Sequence, residues 1–538
     1  MYRSATADWF VKVTFLAALI MAANSLAAAQ TKVDGGLIQG ETSSESGVRV
    51  FKGIPFAAPP VGDLRWREPH PVTPWKGVRK ATQFGARCMQ GPIYGDMIFK
   101  DNGPSEDCLY LNVWTPAKSP KERLPVMVWI YGGGFQAGAS SEPRQDGEKL
   151  AKKGVIVVSL NYRLGVFGFL AHPELSKESG HNASGNYGLM DQAAALEWVK
   201  RNIEAFGGDP SKVTIFGESA GSFSVSALMA SPMSRALFQG AIGESGAFFS
   251  QSGGTLSQKS PAENEHSGAE FGASIGANSI AELRAKPANE VLQSALKAGG
   301  FRFAPGIDGY FLPTDVSSIY AAGKQSHVPL LAGWNADEAR AFVTLAKQKP
   351  TVQTFSDQMR KTFKGDAQTA LKLYPATSDQ EALESAASFA SDSFIGYVTW
   401  KWIEMQYRTG QATVYRYSFD KAPPVAPGTK INGVPATSKD IGARHAGEIE
   451  YVFGALKSID VPWEPGDWKV SELMMSYWTN FAKTGNPNGP GLPTWPTYDK
   501  ATGFQVMHLN IDSGAAPDRQ RPRFEFLDRG KEKTEAAQ

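Results

Sequence analysis

The chain has 538 residues, with 55 Lys and Arg against 53 Asp and Glu, a net charge of +2. No basic or acidic block stands out, and no zinc-knuckle or helix-turn-helix spacing occurs, which argues against a nucleic-acid partner. This length suits either several domains or one large α/β unit carrying insertions.

The N-terminus reads as a targeting segment. Arg3 and Lys12 flank a short polar start, residues 13–23 are apolar, and Ala27-Ala28-Ala29 offers a small-residue cleavage site before Gln30. The apolar run is short for a membrane span, so residues 1–29 are expected to be a signal peptide and the mature chain to be exported. A retained anchor is the alternative, and Asp8 is unusual in such a leader. The two cysteines, Cys88 and Cys108, suggest one disulfide in an exported chain. The alternative is a pair of buried thiols. Without neighbouring histidines they make a poor zinc site, and no metal or other cofactor is expected.

Residues 37–40 and 48–53 read as short strands joined by a polar turn, after which residues 55–60 break regular structure. Residues 124–131 (LPVMVWIY) form a continuous apolar run, the pattern of a strand buried on both faces of a mostly parallel sheet. It ends in Gly132-Gly133-Gly134-Phe135, where backbone N–H groups can face a site without side chains in the way. Residues 154–160 give a second buried strand. Residues 191–206 carry apolar residues at helical spacing, with Asp191 placed as cap or first-turn acid. This β-α-β alternation marks an α/β sheet.

Residues 212–216 (KVTIF) are strand formers, followed by Gly217-Glu218-Ser219-Ala220-Gly221 and a potentially helical run over 222–229. A strand, a sharp turn centred on a serine, then a helix is a nucleophile elbow. The serine sits in a strained turn that projects its hydroxyl above the sheet edge, and the flanking glycines let strand and helix approach. The helix N-terminus then faces developing negative charge. Gly272-Ala273-Ser274-Ile275-Gly276 repeats the five-residue pattern, but a polar helix or loop precedes it rather than a strand. Residues 236–245 form another strand, and Ser245 reads as a supporting or packing residue.

Residues 253–300 look like a helical cap insertion, Asp308-Gly309 is a turn, and residues 328–333 form a strand followed by Asp337 and Glu338. Catalytic groups collect at such strand ends. Residues 341–411 read as a second helical insertion, 414–419 as a strand, 421–439 as a loop and 471–483 as a helix. From Arg519 onward the chain is charged and is expected to be ordered only in part.

A serine nucleophile needs a base and a carboxylate that orients it, in the chain order Ser, acid, His for an elbow of this kind. Of seven histidines, only His445 and His508 lie late in the chain. His508 sits in a strand-like run, whereas His445 lies in a small-residue loop able to reach the serine. For the acid, Asp337 and Glu338 point in different directions, and residue type alone does not choose between them. Asp308 is a weaker candidate.

Three longer patterns go further. Ile54-Pro55-Phe56-Ala57-Ala58-Pro59-Pro60-Val61-Gly62-Asp63-Leu64-Arg65-Trp66, then Ser105-Glu106-Asp107-Cys108-Leu109-Tyr110-Leu111-Asn112-Val113, then Phe206-Gly207-Gly208-Asp209-Pro210 with the elbow, resemble the signatures of the type-B carboxylesterase family, which includes the cholinesterases. The resemblance runs from about residue 33 past Trp495. It implies an α/β-hydrolase fold over residues 30–538: a mostly parallel central sheet with helical insertions near 250–300 and 341–411 over the site. It places Cys108 as a disulfide cysteine, makes Glu338 the acid, and assigns the oxyanion-binding N–H groups to Gly133, Gly134 and Ala220. Family members usually have glycine where this chain has Ala339.

The expected activity is hydrolysis of a small-molecule carboxylic ester through Ser219, His445 and Glu338, falling as His445 protonates near its reference pKa of about 6.5. A lipase or amidase on the same residues, and an inactive cholinesterase-like binding protein, are the alternatives. The Cys88–Cys108 loop contains no tryptophan, only Tyr94 and Phe99 as aromatics, which argues against a choline-ester specialist. The substrate pocket is expected around residues 248–252, the stretch from 300, and 391–402. Neither the acyl and alcohol preference nor the oligomeric state is legible.

Overall fold

A computed structural model of the chain describes residues 30–249, 256–299 and 303–535. The expected signal peptide, residues 1–29, lies outside them. The core is one 11-stranded sheet. In chain order its strands are β1 (Glu41–Thr42), β2 (Arg49–Pro55), β3 (Tyr110–Thr115), β4 (Leu124–Ile130), β5 (Ile156–Leu160), β6 (Gly208–Glu218), β7 (Gly240–Glu244), β8 (Leu330–Asn335), β9 (Val414–Phe419), β10 (Gln505–Leu509) and β11 (Gly514–Pro517). Across the sheet they run β11-β10-β9-β8-β7-β6-β4-β5-β3-β2-β1. All pairs from β5 to β10 are parallel, and the outer strands are antiparallel.

The parallel strands are where the sequence runs apolar without alternation. Every residue of β5, β7, β8 and β9 is buried, so both faces must be covered. The cover can be read at β7. A side chain at Gly240 would point at Phe481, while one at Gly243 would strike Trp402 and Ser222. These positions are an odd number of residues apart and so face opposite sides. One face therefore carries α5 (Pro465–Thr484), and the other carries α2 (Ala220–Ala230) and α4 (Tyr397–Thr409).

Helices fill both predicted insertions: Pro261–Ser274, Ile280–Ala285 and Ala288–Lys297 in the first, and a set that includes α3 (Asp379–Ser391) in the second. The second builds a small core from Phe355, Met359, Ala370, Tyr374, Ala382 and Ala386, completed by Phe526 from the C-terminal helix. No helix among the described residues is long and apolar enough to cross a membrane.

Two expectations need correction, and the tail takes a form the sequence left open. The helix placed over 191–206 starts earlier, as α1 (Tyr187–Asn202). Asp191 is thus no cap. It is fully buried and takes Nε and Nη2 of Arg163 at 2.8 and 2.7 Å, an ion pair made affordable by its satisfied hydrogen bonds. The loop over 421–439 contains a small hairpin, Lys430–Ile431 with Val434–Pro435. The charged tail is helical, as α6 (Arg521–Glu535). Its polar pattern hides two anchors, Phe524 and Phe526, both buried. Arg521 Nη1 also donates to the Tyr498 hydroxyl at 2.8 Å.

Cys88 and Cys108 are joined in a disulfide, with Cα atoms 4.9 Å apart. Closing a loop with sequence separation 20 removes denatured-state freedom equivalent to roughly 3 kcal/mol. The Cys88→Ser/Cys108→Ser double variant is expected to lose about that much in urea unfolding, with an m-value equal to or above that of the wild type as the denatured chain expands. A loss below about 1 kcal/mol would contradict a stabilising bond.

Candidate active site

Three loops meet at the C-terminal end of the central strands. The first is the elbow between β6 and α2. Ser219 has φ 52° and ψ −121°, a conformation disfavoured for any residue with a Cβ and costing about 1–3 kcal/mol. Its N–H donates to the Glu244 carbonyl at 2.8 Å, and its own carbonyl accepts the Phe223 N–H at 2.9 Å, so both ends of the strained residue are tied. Gly221 explains the spacing: a Cβ there would lie 1.9 Å from the Ile130 carbonyl oxygen on β4.

The second loop follows β4. A side chain at Gly132 would meet Glu218 Oε2 at 2.7 Å and Ser219 Cβ at 3.0 Å. Glycine thus lets this backbone pass directly beside the serine. Gly133 and Gly134 follow with φ 107° and 63°, and Ala220 is the first residue of α2. The two glycines thus directly follow the residue packed against Ser219, and Ala220 directly follows Ser219 itself.

The third loop carries His445. Its Nε2 lies 2.9 Å from Ser219 Oγ and its Nδ1 lies 2.6 Å from Glu338 Oε2. A carboxylate can only accept, so Nδ1–H donates to Glu338, leaving Nε2 to accept from the serine hydroxyl. These partners are 226 and 107 residues away in the chain. Ala446, next to the histidine, has φ 60°, a second strained residue within the site.

The neighbouring acids separate cleanly. Glu338 has a fully buried side chain and takes the Asn335 N–H at 2.8 Å on Oε1 while Oε2 faces the histidine. Asp337 turns away and accepts the Ala443 N–H at 3.0 Å, stapling the histidine loop. Ala339, where the family resemblance led to a glycine being expected, has φ −121° and donates its N–H to Ser391 Oγ at 3.0 Å, so this position does not require glycine. Asp308 accepts the N–H groups of Tyr310 and Leu312 within its own turn. Ser274 caps back onto Phe271 at the end of a helix, and His508 pairs with Asp420 at 2.7 Å. None of these three contacts the serine.

Two residues of the site gave no usable signal in the sequence. Asn335, the last residue of β8, donates its Nδ2 to the Arg444 carbonyl at 2.7 Å and to Glu448 Oε2 at 2.6 Å, while its backbone N–H holds Glu338. One residue therefore fixes both the acid and the loop that presents the base. Glu448 in turn accepts from Ser245 Oγ at 3.4 Å. Both were visible as letters, but no spacing rule connects a strand end to a loop more than a hundred residues later.

The electrostatics are dominated by buried carboxyls. Burial first, then mutual repulsion, raises the pKa of Glu218, Glu244 and Glu448 above the ordinary carboxylate range. For His445, burial disfavours the imidazolium, but Glu218, with an oxygen 3.4 Å from Nε2, and Glu338 more than offset this and raise its pKa above 6.5. Among the described residues no group of His, Cys, Asp and Glu is arranged to hold a metal ion.

Two expectations follow. Asn335→Ala keeps the backbone bond to Glu338 and the Asp337 staple but removes the amide tie to Arg444, next to His445. It should lower kcat about a hundredfold with little change in KM, measured on a soluble ester; an unchanged kcat would remove Asn335 from the positioning of His445. Second, a base must be neutral to accept a proton, and a raised pKa means that form is lost sooner as pH falls. The acid limb of kcat/KM is therefore expected above pH 6.5 rather than at it. Glu218→Gln removes one stabilising charge and should move that limb to lower pH; a shift upward would contradict the assignment.

A sequence model described as the carboxylesterase family matches residues 26–526. The fumonisin B1 esterase of Sphingopyxis macrogoltabida is 38% identical over 485 residues, 87% of this chain and 85% of that protein. The para-nitrobenzyl esterase of Bacillus subtilis (strain 168) is 38% identical over 479 residues, 87% of this chain and 92% of that protein. A solved structure of a PNB esterase superposes with a TM-score of 0.78 at 35% identity, covering 92% of this chain and 99% of that one. The strand order, the elbow and the extent of these matches lead to one conclusion: the chain belongs to the carboxylesterase family, with the α/β-hydrolase fold, and is a carboxylic ester hydrolase.

Proposed function

We propose that the ester is cleaved by acyl transfer through a Ser219–His445–Glu338 triad. The observation that carries this reading is the bridging imidazole, 2.9 Å from the serine oxygen and 2.6 Å from the buried carboxylate. As Ser219 Oγ attacks the ester carbonyl, its proton passes to His445 Nε2, and Glu338 stabilises the imidazolium that forms. The N–H groups of Gly133, Gly134 and Ala220 take the negative charge of the tetrahedral oxygen, aided by the N-terminus of α2. His445 then returns the proton to the leaving alcohol. Water enters, gives a proton to the same nitrogen, attacks the acyl-enzyme and frees the acid and Ser219.

The strain at Ser219 supports this assignment, because a side chain held at φ 52° by hydrogen bonds on both sides is fixed before substrate arrives. The relatives named above act on fumonisin B1 and para-nitrobenzyl esters by name, which supports a small-molecule ester as substrate. We further place the protein in an exported, oxidising compartment, a reading supported by the disulfide.

Ser219→Ala is expected to lower kcat by roughly six orders of magnitude. The direct test is mass spectrometry after exposure to a phosphonate ester. One covalent adduct on Ser219, lost in the alanine variant, is the expected result; turnover of esters with Ser219 unmodified and dispensable would overturn the triad.

A further inference from the structure

We propose that Phe394 is a specificity-determining residue, an aromatic wall that contacts the bulky group of the ester where it lies against His445. The inference rests on the acyl-transfer reading above and deepens it. The Phe394 ring stands edge-on to the imidazole, with centroids 5.2 Å apart and planes at 72°. It is also 43% exposed, although the elbow's other aromatic neighbours, Phe135, Phe223 and Phe248, are buried at 4% or less. An apolar ring left open to water beside the base is covered once substrate binds, and covering it is favourable in proportion to the apolar area removed from water.

Chemistry places the substrate there. The imidazole must reach both the attacking and the leaving oxygen, so the bond being broken lies against it. A group of that ester that extends past His445 on the side of Phe394 meets its ring.

The ring is held in place by its backbone. Phe394 lies in a single π-helical turn, Asp392–Gly396, inserted between α3 and α4. The extra residue in such a turn redirects a side chain at the cost of regular hydrogen bonding, and such turns concentrate at functional sites. Three residues fix this one. Ser391, just before it, accepts the Ala339 N–H, one residue from Glu338, at 3.0 Å. Asp392 accepts the Tyr374 hydroxyl at 2.8 Å and faces Arg523 of α6 at 3.7 Å. Gly396 leaves no slack, since a Cβ there would sit 3.3 Å from the Phe524 ring and 3.4 Å from Trp334 Nε1. The wall is therefore anchored to the acid's loop on one side and to the C-terminal helix on the other. The sequence had pointed to residues 391–402 as part of the pocket; the structure singles out this ring.

The test compares wild type, Phe394→Ala and Phe394→Leu on two series of esters, one lengthening the acyl chain from acetate to decanoate and one enlarging the alcohol from methyl to benzyl. Active enzyme is counted in each by phosphonate labelling of Ser219. Phe394→Ala should lower kcat/KM for the bulky members of at least one series by about tenfold or more relative to its smallest member, with Phe394→Leu falling between. A loss of the same factor for every ester would mean the ring acts only through His445, and selectivity unchanged within about twofold in both series would mean it does not touch substrate; either overturns the proposal. Failure of wild type to label or to hydrolyse any ester would instead defeat the acyl-transfer reading itself.

Discussion

The site depends first on a backbone contact. At Gly221 the start of α2 passes so close to the Ile130 carbonyl on β4 that no side chain fits between them. That approach bends the chain sharply after β6 and forces Ser219 into a left-handed conformation, with its hydroxyl raised above the sheet. A nucleophile placed on a loose loop would have to be ordered on every turnover. Here the ordering is done during folding, by a sheet whose central strands are buried on both faces.

A second layer of control comes from the strand two positions along. β8 ends at Asn335, and the chain then turns to present Asp337 and Glu338 in opposite directions. Asp337 holds the backbone of the histidine loop, Glu338 orients the imidazole, and Asn335 binds both the loop and the acid. The base is thus carried by a loop but positioned by a strand, which combines reach with rigidity. The surrounding carboxyls Glu218, Glu244 and Glu448 make this region costly in free energy, since each buried charge must be neutralised or paired. Their effect is to favour a proton in the neighbourhood of His445, where the reaction moves one.

The insertions add selectivity to this frame without altering it. The second insertion carries a small core and joins the main body through Ser391, the π-helical turn and the packing of Gly396 against α6. In this arrangement a polar C-terminal tail, expected to be partly ordered, becomes structural. Its two buried phenylalanines were outnumbered by charges in any local window, and only the hydrophobic surface waiting for them explains the helix.

Much of the site was legible because its chemistry imposes local rules. The elbow needs glycines at set distances from a serine, a doubly covered strand needs an unbroken apolar run, and a donor loop needs bare backbone; each leaves a mark within a dozen residues. What no local rule contains is distance between parts remote in the chain. Which of Asp337 and Glu338 faces the histidine followed from residue letters only by likeness to a family, and Asp191, read as a helix cap or first-turn acid, proved to be the buried partner of Arg163. The amide of Asn335 and the ring of Phe394 acquired meaning only when packing set them beside His445. Sequence by itself determined the fold class and pointed to the serine, the histidine and the glycine loop of the proposed triad and oxyanion site, since these depend on backbone conformation and on covalent neighbours. Tertiary structure decided the partners, because hydrogen bonds and van der Waals contacts act over a few ångströms in space, whatever the separation along the chain.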